Sequence, residues 1–194
     1  MSEVLVLHAS LCGGASTAAV TALLDALPYA YRLALERRDA PDRIASLTAI
    51  ALLLEAVRRV RGQPADPSRL RVPPGGKPTL DGGPRFSIAH STARAAVAVS
   101  EHSELGLDLE EQGAGGRTAR ELERWVATEA VLKAVGAGLR KAPAVRLDDD
   151  LGAARFGALR LRLSTLAIAG NCVARLASHD ELSRVTVEEI DWPA

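Results

Sequence analysis

The stretch Leu105-Gly106-Leu107-Asp108-Leu109-Glu110, with Trp125-Val126-Ala127-Thr128-Glu129-Ala130-Val131-Leu132-Lys133-Ala134 downstream, carries the two periodicities on which the reading of this chain turns. The first alternates with period two, as a half-buried strand does. Leu107 and Leu109 then share one face, and Asp108 and Glu110 share the other. In the second, Trp125, Glu129 and Lys133 recur at i, i+4 and i+8, which places them on one side of a helix. Two close carboxylates with no cation beside them in sequence repel each other, and a divalent cation relieves that repulsion. Taken alone, each pattern also has an ordinary explanation. An acidic strand face can simply be solvated, and Glu four residues before Lys is a common surface pair worth ~0.2–0.5 kcal/mol.

Outward from this centre, Arg85–His90, Ala95–Ser100 and Leu105–Glu110 read as three strands. The 112–116 stretch breaks the chain, and Thr118–Val135 reads as a helix ended by Gly136 and Gly138. Residues 72–84 hold four Gly and four Pro, so they read as loop. That loop carries Lys77 and Pro78; its glycines allow close backbone approach to a ligand, and Pro78 stiffens it. Upstream, Asp39 is a candidate N-cap with Pro41 in the first turn. Ile44, Leu47, Ile50, Leu54, Val57 and Val60 form the expected buried stripe of the helix that follows, with Arg58, Arg59 and Arg61 crowding its end. Val4–Ala9 reads as a strand, Gly13-Gly14 as a plain turn, and residues 16–27 as a helix stopping at Pro28. Beyond the second helix, Ala158–Leu163, Cys172–Ala177 and Val185–Ile190 read as strands.

The 194 residues suffice for one large domain or two small halves. Lys+Arg and Asp+Glu are both 24, so formal charge is zero, which argues against nucleic-acid binding through bulk charge. No apolar run approaches the ~20 residues that span a bilayer. The start, Met1-Ser2-Glu3, lacks a basic n-region, and Val4–Leu7 is too short for a signal peptide, so a cytoplasmic protein is expected. Cys12 and Cys172 have no metal or disulfide spacing and read as ordinary buried thiols. His90, closing Phe86-Ser87-Ile88-Ala89-His90-Ser91, stands at the end of a strand; a structural histidine and a ligand-binding one are both open there.

In order, the blocks are Gly76-Lys77-Pro78, Phe86–Ser91, Gly106–Glu110, Trp125–Lys133 and Gly136-Ala137-Gly138-Leu139. This succession resembles the 4′-phosphopantetheinyl transferases of the surfactin-synthetase-activating type, whose pattern runs GKP, FNxSHS, GIDxE, WxxKEAxxK and GxGL. The resemblance covers residues 75–139 and reaches more loosely back to Arg43. It implies an α+β fold of two similar halves related by a pseudo-twofold axis, with mostly antiparallel sheets packed against helices. The implied halves are 1–100, on the nucleotide side of coenzyme A, and 101–194, with the metal and the catalytic helix. It implies a monomer that moves phosphopantetheine from coenzyme A to a serine of an apo acyl or peptidyl carrier protein.

Carried over residue by residue, Asp108, Glu110 and Glu129 are the implied Mg²⁺ ligands, with Mn²⁺ as the alternative ion. Glu129 is the implied base, and Lys133 and Asp108 complete the catalytic set. Arg43, Lys77, Pro78, His90 and Lys133 are the implied coenzyme A contacts. The chain departs from the pattern at Thr128, where the first lysine of WxxKEAxxK is missing, at Ala89 for serine and at Ser87 for asparagine. Arg117, Arg120 and Arg124 are nearby cations that could substitute. The link from Glu110 to Trp125 is short. These departures keep a second expectation open, a coenzyme A or carrier-protein binding paralogue without turnover. A different Mg²⁺-dependent phosphate enzyme is a third.

Overall fold

The structure is a computed structural model in which residues 2–11, 17–73 and 76–191 are described. The chain is a mixed α+β protein built from two main sheets and two long helices. The first sheet has the order β11-β1-β5-β4, with β1 Ser2–Ser10, β4 Arg85–His90, β5 Arg94–Ser100 and β11 Leu182–Glu189. Its pairings are antiparallel except β1 with β11, which run parallel. The second sheet is antiparallel throughout, in the order β6-β10-β9-β8-β7. Its strands are β6 Leu105–Glu111, β7 Val145–Leu147, β8 Ala153–Phe156, β9 Leu159–Thr165 and β10 Cys172–Ser178.

Alternation builds the layers. One face of the first sheet, with Leu7, Val97 and Val99, packs under the long helix α3, Ala40–Arg61. The opposite face, with Val4, Val6, Ala96 and Ala98, meets Leu105, Leu107 and Leu109 of β6 and Leu176 of β10 in a shared apolar layer between the sheets. The outer face of the second sheet carries Ala154, Leu161 and Leu163 beneath helix α4, Ala119–Ala134. The order through the molecule is therefore helix, sheet, sheet, helix. Strand β11 comes from the last segment of the chain yet completes the sheet begun by β1, so residues 101–194 contribute to the first sheet as well as the second.

Helix α3 starts at the expected cap, and α4 starts within one residue of the expected Thr118. Asp39 Oδ1 accepts from Asp42 N–H at 2.9 Å, and Gly62 ends α3 in the left-handed region at φ 72°. Thr118 and Glu121 form a reciprocal capping box at the start of α4. The buried stripe of α3 is displaced from the expected one. Leu47, Ile50 and Val57 are buried, Leu52, Leu53, Ala49 and Ala56 widen the stripe, and Ile44 is 50% exposed. Helix α2, Tyr29–Glu36, and the short strands β7 and β8 lie outside the sequence expectation. Residues 72–84 are also not all loop, since β3, Thr79–Leu80, pairs with β2, Leu70–Arg71. The preceding helix, α1, spans Thr17–Ala26, while Cys12 and the expected Gly13-Gly14 turn lie outside the described residues. Among the described residues no helix is long and apolar enough to cross a membrane.

Candidate active site

Gly106 decides how closely α4 approaches β6. A Cβ at this position would stand 2.0 Å from the Ala130 carbonyl oxygen and 2.3 Å from the Ala134 nitrogen, so only a glycine lets the helix settle there. Asp108 and Glu110 follow on the same face of β6 and come under the Glu129–Lys133 side of α4. Lys133 Nζ donates to Asp108 Oδ1 at 2.6 Å. Asp108 Oδ2 is buried with no hydrogen-bond partner.

The free edge of the first sheet meets β6 at this point. Ser87 Oγ of β4 accepts the Leu107 N–H at 2.9 Å, a buried bond between the two sheets. Lys77 Nζ donates to the Leu105 carbonyl oxygen at 2.6 Å and lies 3.5 Å from Glu104. Glu111, the next residue along, points elsewhere. It accepts from the Ser91 hydroxyl, from the Thr92 hydroxyl at 2.9 Å and from the Ala93 N–H at 3.0 Å, and so ties the β4–β5 turn to the end of β6.

A cavity of about 450 Å³ opens along this junction. Lys77, Pro78, His90, Asp108, Glu110, Glu129 and Lys133 all line it. Arg43 does not; the arginine that reaches the cavity from this corner is Arg38, in the bend between α2 and α3, together with Tyr31 and Leu35 of α2. Its lining carries both signs of charge: the basic side chains Arg38, Lys77, His90 and Lys133, and the carboxylates Asp108, Glu110 and Glu129.

Burial and crowding set the protonation of these groups. Burial, then the charge of Asp108, hold the Glu129 carboxyl up at about 7, and Glu110 adds to the shift against Lys133 and Arg117. Glu110 is raised by burial and by Asp108 and Glu111. Burial raises Asp108 even with Lys133 bonded to it. Among the basic groups, burial lowers Lys77, and burial with Arg38 lowers His90. The Cys172 thiol is likewise pushed up by burial, as an unreactive thiol is.

Among the described residues, no group of three or more His, Cys, Asp and Glu side chains is gathered closely enough to hold a metal ion. The three carboxylates share the cavity without forming a three-ligand cage. The orphaned Asp108 Oδ2 and the raised Glu110 beside it nonetheless fit a divalent cation of the kind that takes one or two carboxylates and fills its shell from phosphate and water. Of the departures noted in the sequence, Ser87 has become a sheet-to-sheet bond, and the Thr128 hydroxyl donates to the Arg124 carbonyl oxygen of its own helix at 2.8 Å. Arg38 carries no spacing signal that would have marked it; it is found by position alone. No family model matches the chain, and no curated protein matches it.

Proposed function

We propose that the cavity binds coenzyme A and that the protein transfers its 4′-phosphopantetheine arm to a serine of an apo carrier protein, releasing 3′,5′-ADP. The observation that supports this reading best is the convergence of residues from four separate sequence blocks on one cavity: Lys77 and Pro78, His90, Asp108 and Glu110, and Glu129 and Lys133. A site that carries both signs of charge suits such a ligand. In this reading Arg38, Lys77 and His90 offer donors to the nucleotide phosphates, and the carboxylates are the groups that can take the proton of the acceptor hydroxyl. The finer architecture belongs to the same proposal: two similar halves about a pseudo-twofold axis, each a long helix on a sheet, working as a monomer in the cytoplasm without nucleic acid.

In the reaction, the serine Oγ attacks the β-phosphorus of coenzyme A. The new O–P bond forms as the bond from that phosphorus to the bridging oxygen breaks, and the electron pair leaves with 3′,5′-ADP. Glu129 takes the hydroxyl proton; a carboxylate that titrates at about 7 is well matched to that task at neutral pH. Lys133, on the same helix face one turn away and bonded to Asp108, is the cation this reading assigns to the oxygens on which charge accumulates. A cation held by Asp108 and Glu110, Mg²⁺ first and Mn²⁺ as the alternative, would neutralise charge on the pyrophosphate.

The test is incubation of the full chain with coenzyme A, Mg²⁺ and apo carrier proteins, followed by intact-mass measurement. Addition of one phosphopantetheine to a carrier serine is the expected result. Coenzyme A binding with no addition to any carrier would replace this reading with that of a binding paralogue.

A further inference from the structure

Arg117 is a cation that the reaction above leaves unused. It lies in the short link between β6 and α4 and is not itself among the residues that line the cavity. Its guanidinium carbon sits 4.6 Å from the centroid of the Trp125 ring. Gly115, at φ 62°, is also beside it: an added Cβ there would come within 2.6 Å of Arg117 Nη1. The guanidinium therefore lies over an indole and close to a bare α-carbon. Stacking of this kind fixes the plane of the fork and leaves its edge free for oxygens. Among the described residues, no carboxylate stands within salt-bridge distance of it.

The surrounding charges say what that edge is for. Asp108, Glu110 and Glu129 crowd this end of the cavity, and Lys133 is already bonded to Asp108. A phosphoryl group brought among them adds negative charge to a site that has little positive charge to spare. Arg117 is the cation that acts on both Glu110 and Glu129 besides Lys133. Thr128, with its hydroxyl turned to the Arg124 carbonyl, offers no charge. We propose that Arg117 binds the oxygens of the phosphoryl group under transfer and supplies the positive charge that Thr128 does not. This assignment rests on the coenzyme A reading above.

Inorganic pyrophosphate with Mg²⁺, titrated calorimetrically into the full chain, gives a readout independent of turnover. Arg117→Gln is expected to weaken its binding at least about tenfold, as loss of a charge-assisted hydrogen bond does, with the melting temperature kept. Arg117→Lys should restore part of the affinity, because it returns the charge without the fork. In the transfer assay Arg117→Gln should lower kcat while KM for the carrier stays within about twofold. Equal pyrophosphate binding by wild type and Arg117→Gln, or no binding by wild type, overturns the assignment. So does a change confined to KM for the carrier, which would make Arg117 an acceptor contact. Arg117-dependent pyrophosphate binding by a chain that does not bind coenzyme A would leave the assignment standing and sink the coenzyme A reading.

Discussion

Glu129 holds its proton in the folded protein up to about 7, against an ordinary value of 4.5. The folded state therefore binds more protons than the unfolded one between these values, and the contribution to stability falls as pH rises through that window. Glu129→Gln removes the contribution. In metal-free buffer at pH 8 the variant should be more stable by about 1 kcal/mol once solvent screening of this half-buried group is allowed for, and at pH 4 the two proteins should melt alike. Thermal melts at the two pH values check this; an unchanged melting temperature at pH 8 would show that the carboxylates do not strain one another. The same group predicts that Glu129→Gln lowers turnover roughly 10²–10⁴-fold with coenzyme A binding largely kept. Ser87 is the opposite kind of residue. Ser87→Ala leaves the buried Leu107 N–H without an acceptor and should cost about 1–3 kcal/mol in a denaturant titration. The placement of Asp108, Glu110, Glu129 and Lys133 was legible because strand and helix periods put side chains on faces. Arg38 in place of Arg43 was not, because it depends on where α2 ends against the sheet edge, and nothing in the local pattern around Asp39 reports that.

At the scale of elements, the site is the seam between β6 and α4, and Gly106 sets its width. Gly106→Ala inserts a methyl group where backbone atoms of α4 already stand, so the helix must lift from the strand. Overpacking of this kind costs about 1–3 kcal/mol, and here it also draws Lys133 away from Asp108. The variant should melt lower and bind coenzyme A more weakly; wild-type behaviour in both would mean that the helix sits higher than described. The elements themselves were legible to different degrees. The capped, strongly periodic helices α3 and α4 emerge from the sequence with their starts correct, since Asp39 and Thr118 are side-chain caps. The inner stripe of α3 was misplaced at Ile44 because the helix buries a wider face than one row and leaves its first turn in solvent. Short strands such as β3, β7 and β8 have too few residues for alternation to show. Their pairing comes from tertiary contacts.

For the whole molecule, the crossing of β11 into the first sheet was beyond local reading. Its pattern marks a strand, and nothing in it names β1 as the neighbour. The consequence is that the chain closes on itself: Leu182, Val185 and Val187 pack against the layer between the sheets, and the first sheet is incomplete without the last segment. Removing residues 182–194 should therefore destabilise residues 2–100 as well, seen as a large drop in melting temperature with exposure of the apolar layer to dye. An unaltered melt would show that β11 is dispensable. The closure matters for function because the cavity lies where the β4 edge of the first sheet meets β6 of the second, so both sheets must be whole for its lining to assemble. The most direct measurement of the account as a whole is phosphopantetheine transfer by Asp108→Ala, followed by intact mass beside wild type, with coenzyme A, Mg²⁺ and an apo carrier that wild type modifies. The account predicts a carrier fully shifted by wild type, no shift with the variant and melting curves that show both proteins folded. Transfer by Asp108→Ala at the wild-type rate would contradict it.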